Sequence, residues 1–363
     1  MSPSTVIVGL NGALQKRFIL GEGSSLVPGD VHRATDIQFG VGGKGQDVSI
    51  SLSCLNYPNV NIAQFVGSGY EGDLVLDLLK NRLGESAATS LTTRTKSPMR
   101  TCTTIVAKDM ATELVEPSGT VTETEKDKFF DILESSVKDA TALCIMGSTP
   151  PGLPEDMYAN ICKTIASPNT LCLVDSVTGL QHILSVLSNK QGLLKINASE
   201  LCKLVAVKKS SSEAGGIKLQ ELEKAVKKFF EKYKNAKEAL TGLALTDGEH
   251  PSHLVSIDKE GYEIIQIDTP VLDSAATLYP VGAGDSVAAG TLACWKTTHY
   301  KDNSLGHDFT KEISKRIEKN THGSELTRAL EASFALGLAC GSASCLCEEN
   351  SVLQVKDVLR LYR

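Results

Sequence analysis

No apolar run in this sequence reaches the roughly 18 residues that a membrane-spanning helix needs, so no span is expected. The first residues, MSPSTVIVGLNG, lack the basic start and the long apolar core of a signal peptide. Charge of one sign is nowhere concentrated. Basic and acidic residues are mixed along the chain, with a net charge of −6 and a pI near 5.7. That pattern leaves no footprint for nucleic acid or for a membrane surface. Ten cysteines are present, yet Cys345 and Cys347 have no second ligand pair placed to complete a metal site. The cysteines are therefore expected to be reduced, as small core hydrophobes, and the protein to be cytoplasmic. There is no internal repeat. What is present is a globular composition: 363 residues, 41% hydrophobic and 22% charged, with ample length for a large core.

Apolar runs of strand length alternate with amphipathic stretches of helix length. TVIVGLN (5–11), NIAQFVGS (61–68), ALCIMGS (142–148), TLCLVDSV (170–177), QGLLKINAS (191–199) and GLALTDG (242–248) read as strands or strand ends. QDVSISLSCLN (46–56), DLVLDLLKNRL (73–83) and PEDMYANICKTIA (154–166) read as helices. This alternation predicts an α/β fold with a mainly parallel sheet covered by helices, which binds ligands at the carboxyl ends of its strands. Two regions break the rhythm, about 16–41 and 98–117. KRFIL, RATDIQFGV, RTCTTIVAK and TELVEP there suggest a small antiparallel sheet, either a lid over the site or an ordinary extension. Two polar segments, 208–216 and 298–325, read as surface insertions. Three of the seven histidines fall in the second, but charged loops of this kind are usually solvated and get no chemistry here.

Four glycine-bearing or capping stretches invite a chemical reading. GSGYEG (67–72) fits the dinucleotide fingerprint, but no strand ending in Asp or Glu follows at the required distance, which leaves a turn. VGGKGQD (41–47) precedes a helix and is not a Walker A loop. Its glycines let backbone amides approach a ligand and Lys44 adds charge, which suits a phosphate; a turn with an exposed lysine is the alternative. In PVGAGDS (280–286), Gly282, Ala283 and Gly284 present N–H groups at a helix start, where the dipole favours an anion. Asp285 beside them either caps the helix or accepts a proton from an attacking hydroxyl. Asn197 and Glu200 lie three apart where a strand meets a helix. They either cap each other or hold Mg²⁺ through its waters.

Together these stretches resemble the PfkB (ribokinase-like) carbohydrate kinases, within them most of all the branch of 1-phosphofructokinase and tagatose-6-phosphate kinase. TVIVGLNGALQKRF resembles the family's opening T-x-x-x-NPALD, and VGGKGQDV its GGKGxNV turn. TELVEPSG, MGSTPPGLPEDMYANI, VDSVTG, KINASEL, LTDG and PVGAGDS follow in the family's order along nearly the whole chain. The resemblance implies a single ribokinase-like domain, a doubly wound sheet of about eight or nine strands with a small β lid. It implies Asp285 as catalytic base, Gly282, Ala283 and Gly284 as the anion hole, and Asn197 with Glu200 organising Mg²⁺. Lys195, Thr246, Asp247 and Gly248 would line the site of ATP. Lys44 and Arg100 would hold the phosphate of a sugar-phosphate acceptor, with Gly42 and Gly43 against the sugar.

Two acceptor contacts depart from the family. Gln15 stands for the family's aspartate and Asp47 for its asparagine, an exchange that keeps one carboxylate in the pocket. Thr103 and Thr104 stand where a second basic residue is usual, and Pro280 replaces a threonine. The expected activity is transfer of the γ-phosphoryl group of ATP to a primary hydroxyl of a ketohexose phosphate. An unphosphorylated sugar or nucleoside as acceptor, or a non-catalytic sugar-phosphate sensor, are the alternatives. A homodimer through the exposed lid sheet is also expected.

Overall fold

The protein is described from a computed structural model covering residues 4–363, apart from residues 22, 24, 108–109, 138–139, 190, 209–215, 259–260, 274–277 and 321–322. The first half runs β1 (Ser4–Val8), β2 (Ala13–Leu20), β3 (Ala34–Gly42), α1 (Lys44–Cys54), β4 (Val60–Ser68), α2 (Tyr70–Leu83), α3 (Glu85–Thr89), β5 (Leu91–Pro98), β6 (Thr101–Ala107) and β7 (Met110–Val115). It continues with α4 (Glu123–Ser136), β8 (Ala140–Met146), α5 (Met157–Ile165), β9 (Leu171–Asp175), α6 (Leu180–Val186), β10 (Gly192–Asn197), α7 (Ala198–Leu204) and α8 (Leu219–Lys232). The remainder is α9 (Ala236–Ala239), β11 (Leu240–Asp247), β12 (His250–Ile257), β13 (Tyr262–Ile267), α10 (Ala283–Tyr300), α11 (His307–Lys319), α12 (Glu325–Ser344) and α13 (Val355–Tyr362).

Nine strands form the main sheet in the order β13-β12-β11-β10-β9-β8-β1-β4-β5. All neighbours are parallel except at one edge, where β12 and β13 are antiparallel. The central strands are continuous apolar runs because both faces are covered: β9 is buried at every residue and β8 at all but one. One apolar cluster packs α4 to α9 against one face, and a second packs α1 and α10 to α13 against the other. The chain winds from β1 outward to β4 and β5, then returns to place β8 on the other side of β1. That reversal opens a crevice at the carboxyl ends of β1 and β8, the expected place for a ligand.

A second sheet, β3-β2-β6-β7, stands apart from the first. It is mixed rather than antiparallel: β2 and β6 pair in parallel, the other two pairs antiparallel. Alternation of side chains reports a strand but not its direction, and β2 and β6 reach this sheet by separate excursions, which sets them parallel. The polar segment 208–216 falls almost wholly outside the described residues. The segment 298–325 carries α11, whose Phe309 and Ile313 are buried in the second cluster, so that helix packs onto the body.

Candidate active site

The residues named for the acceptor converge. Gln15, Gly42, Gly43, Lys44, Asp47 and Arg100 line one cavity of about 320 Å³, and Gly282 and Asp285 close it from the side of α10. Gly9, Asn11, Cys102, Glu113, Ser148 and Asn350 also line it. No motif marks these residues; Asn11 and Ser148 follow the ends of β1 and β8 and close the apolar runs TVIVGLN and ALCIMGS, which is the signal that the sequence offers. A larger groove of about 600 Å³ lies beyond Gln15, walled by Arg17, Phe39, Leu78 and Arg82. None of residues 282–285 borders it, so the smaller cavity is the one next to the turn that opens α10.

The anion turn is built by backbone geometry. Gly282 is the N-cap of α10 with φ 82°, a left-handed conformation that glycine takes without cost. The Ala283 amide bonds the Pro280 carbonyl at 3.2 Å, and the amides of Asp285 and Ser286 bond the Gly282 carbonyl at 3.1 and 3.0 Å. The amides of Gly282 and Gly284 make no such bond among the described residues. Those two are therefore the donors available to an anion, and Ala283 contributes by shape. A Cβ on Gly284 would lie 3.3 Å from Lys195 Nζ, so an ammonium group stands directly against the turn.

A buried carboxylate organises the charges. Asp175, at the end of β9 and 1% exposed, accepts Lys44 Nζ on one oxygen and Lys195 Nζ on the other, each at 2.7 Å. Burial alone would raise its pKa, but the two ammonium groups outweigh it and hold the carboxyl below its ordinary range. Lys44 also lies 3.9 Å from Glu200 Oε1. Burial would lower the Lys44 pKa, yet the attraction of Asp175 raises it. Lys44 is thus committed to Asp175 and turned toward Glu200, not free to serve an acceptor phosphate alone. Asp285 is half-buried, and burial pushes its carboxyl from an ordinary 3.8 to about 7, with the negative charge of Asp175 adding to the shift and Lys195 and Lys44 opposing it. A carboxyl poised there suits general base work near neutral pH.

Around the acceptor cavity the polar groups are mostly spoken for. Gln15 Nε2 donates to Thr104 Oγ1 at 2.5 Å. Arg100 donates from Nε to the Gly12 carbonyl at 3.2 Å and from Nη2 to the Asn11 carbonyl at 2.6 Å. Asp47 differs. It is 6% exposed, and its Oδ1 has no hydrogen-bond partner among the described residues. Burial, and then the charge of Asp285, push its carboxyl well above the ordinary range.

On the far side, Asn197 and Glu200 cap α7 reciprocally. Asn197 Oδ1 accepts the Glu200 amide and Glu200 Oε2 accepts the Asn197 amide, both at 2.8 Å. Glu200 Oε1 remains outside that box. Thr246 pairs in register with Asn197 at the end of β11. Asp247 turns its Oδ2 to the Ile217 amide at 2.6 Å, which ties down the entry to α8. Gly248, with φ 65°, has open space around it. No group of three His, Cys, Asp or Glu side chains gathers as a metal site among the described residues.

In fold the chain is similar to phosphofructokinase-2 from Escherichia coli, with a TM-score of 0.72 at 20% identity over 99% of this chain and 98% of that one. It is also similar to a possible 1-phosphofructokinase from Thermotoga maritima, TM-score 0.66 at 18% identity over 99% and 97%. A ribokinase from the same organism gives 0.65 at 15% identity over 99% of both chains. The model of the pfkB family carbohydrate kinases matches residues 15–353, and the chain belongs to that family, whose members transfer phosphoryl groups to sugar hydroxyls.

Proposed function

We propose that this protein transfers the γ-phosphoryl group of ATP to a primary hydroxyl of a ketohexose phosphate. The observation that carries this reading is the place of Asp285: at the anion turn of α10, on the wall of the acceptor cavity, with Lys195 against the same turn. The acceptor hydroxyl gives its proton to the Asp285 carboxylate as its oxygen bonds the γ-phosphorus, and ADP leaves with the cleaved bridging oxygen. The free amides of Gly282 and Gly284, with Ala283 between them, receive charge on the transferring group. Lys195 adds a positive charge beside them, and Asp175 keeps Lys195 and Lys44 in place. Thr246, Asp247 and Gly248 at the end of β11 border the nucleotide. Mg²⁺ bound chiefly by phosphates and water would be organised by Glu200, whose Oε1 stays outside the capping box that Asn197 makes with it. When bound, that ion neutralises phosphate charge.

The whole chain acts as one kinase domain in the cytoplasm. The small sheet serves as its lid, since Gln15, Cys102, Glu113 and Val115 bring its inner face to the cavity. Its outer face pairs with a second copy of the chain.

A second reading, an uncharged sugar or nucleoside as acceptor, is favoured by one observation. Lys44 is committed to Asp175, two donors of Arg100 are spent on carbonyls, and Asp47 and Glu113 add acidity to the cavity. ADP release with fructose 1-phosphate, tagatose 6-phosphate, fructose 6-phosphate, free sugars and nucleosides separates the two. Turnover confined to free sugars or nucleosides replaces the first reading with the second. Nucleotide binding without turnover of any acceptor points to a sensor and overturns both.

A further inference from the structure

The acceptor cavity offers little to a phosphate. Lys44 is bound to Asp175, Arg100 gives two donors to carbonyls, and Asp47, Glu113 and Asp285 bring carboxyl groups to the same space. A phosphate dianion crowded against carboxylates is repelled, so a phosphorylated acceptor needs its anionic end elsewhere. The groove of about 600 Å³ adjoins this cavity, and Gln15 and Asn350 line both.

Arg17 stands at that junction and lines the groove. It follows Gln15 by two positions on β2, so both side chains leave the same face of the small sheet. It is 7% exposed, yet it makes no ion pair among the described residues. Its Nη1 donates to the Glu348 carbonyl and its Nη2 to Asn350 Oδ1, the latter at 2.8 Å. Both partners are neutral, and they use two of the five donors of a guanidinium. Nε makes no bond among the described residues and is not sealed from solvent. The carboxylates nearby are placed elsewhere. Glu113 pairs with Thr104, which pairs with Arg17, so it stands two strands away, at about 10 Å. Glu348 and Glu349 are exposed; the first accepts Gln38 Nε2 at 2.8 Å and the second pairs with Arg82. A buried guanidinium without a counter-charge, with donors to spare at an open groove, is a place for an anion.

The anion turn is close by. Asn350 Cβ lies 3.5 Å from where a Cβ on Gly282 would stand, and the amide oxygen of the same residue holds Arg17. One asparagine side chain thus separates the guanidinium from the turn beside Asp285, a span that a sugar can bridge. We propose that Arg17 sets acceptor specificity: its guanidinium receives the phosphate of a ketohexose phosphate in the groove, while the reacting hydroxyl passes Gln15 to reach Asp285. The proposal rests on the sugar-kinase reading above, and it moves the phosphate away from Lys44 and Arg100.

Two substitutions test it. Arg17→Gln removes the charge, and Arg17→Lys keeps the charge without the planar fork. For the preferred sugar phosphate, Arg17→Gln should raise the acceptor KM by about tenfold to a hundredfold and Arg17→Lys by less, with the ATP KM unchanged. For the matching unphosphorylated sugar, as substrate or as competitive inhibitor, neither change should alter the constant. An equal rise for both sugars means that Arg17 acts only by holding residues 348–350, and it overturns the proposal. So does an unchanged KM for the sugar phosphate.

A second measurement does not depend on turnover. A non-hydrolysable ATP analogue at saturation occupies the anion turn. Inorganic phosphate should then raise the wild-type melting temperature above that in sodium chloride of equal ionic strength, because a ligand bound only by the folded state stabilises it. Arg17→Gln should lose that rise and Arg100→Gln should keep it. No rise in wild type, or a rise that survives Arg17→Gln, overturns the proposal. If the rise is lost in Arg17→Gln but wild type turns over no phosphorylated acceptor, the ketohexose-phosphate reading falls and the groove stands as an anion site.

Discussion

At the scale of single residues, the site turns on two carboxylates shifted in opposite directions. Asp175 is kept ionised by two ammonium groups, and Asp285 is pushed up to about 7 by burial and by Asp175. With Asp285 as base, kcat/KM should rise with pH through an apparent pKa near 7. Asp285→Asn should lower kcat by about a hundredfold to ten-thousandfold, with nucleotide binding retained. The same shift makes a second, independent expectation. Because the folded-state pKa lies above 3.8, the stability of the neutral form is present in acid and lost as pH rises toward 7. Asp285→Asn should therefore melt above wild type near about pH 8, with the gap closing near about pH 4. Equal melting curves at both would remove the case for a strained carboxylate. Asp175→Asn should move the acid limb of the rate profile to lower pH, since it removes the negative charge beside Asp285. It should also cost about 3–5 kcal/mol of stability, because it leaves two ammonium groups without their counter-charge. Gln15→Asp combined with Asp47→Asn should keep more activity than either single change; harmless singles would end the idea of exchanged roles. The glycine turns and Asp285 were legible in sequence because short motifs impose local geometry. Asp175 was not, since its meaning depends on Lys44 and Lys195, which lie 131 and 20 residues away.

At the scale of elements, what aims the anion turn is the packing of α10 on α12. From its first turn's end to Thr297, α10 is buried without a break. The small residues at 287–290 mark a helix that can pack closely, but sequence spacing does not name the facing helix. The structure shows it: a Cβ on Gly337 of α12 would meet Thr291 Oγ1 at 2.1 Å and the Val287 carbonyl at 2.5 Å. Neither atom is the end of a long flexible side chain, so the helices would have to part. Gly337→Ala should thus destabilise by about 1–3 kcal/mol in urea titration and lower kcat more than the ATP KM, since the turn sits at the displaced end of α10. Unchanged stability would mean that the helices adjust without cost. The regular strands were legible where apolar runs are unbroken. β12 and β13 are not among those that the sequence reading singles out. His253 and Ser256 interrupt the first, and Glu263 and Gln266 the second, which is an edge strand with water on one side.

At the scale of the whole molecule, the small sheet has two faces of different character, and register assigns the residues to each. Lys16 pairs with Phe39, Phe18 with Ile37 and with Ile105, and Leu114 with Thr103, so these side chains share one face. Gln15, Cys102 and Val115 fall on the other, toward the cavity. The first face is apolar yet open: Ile37 is 47% exposed, Phe39 44% and Leu114 58%. Lys16 lies over the rings of Phe18 and Phe39, at 4.9 and 5.7 Å, and covers only part of them. Burial of such a face against a second copy removes apolar area from water on both sides at once, at about 25 cal/mol per Å² before the costs of association. The face is also the back of the wall that holds Gln15, so a partner that stiffens the sheet also steadies the acceptor cavity. Phe39→Lys with Leu114→Lys places charge in the centre of that face without touching the cavity. In sedimentation equilibrium the wild type should behave as a dimer at micromolar concentration and the double variant as a monomer, with a raised acceptor KM and a nearly unchanged ATP KM. A monomeric wild type, or a dimer that survives both lysines, would place self-association elsewhere or nowhere. If the double variant is a monomer with an unaltered acceptor KM, the two faces of the sheet are uncoupled.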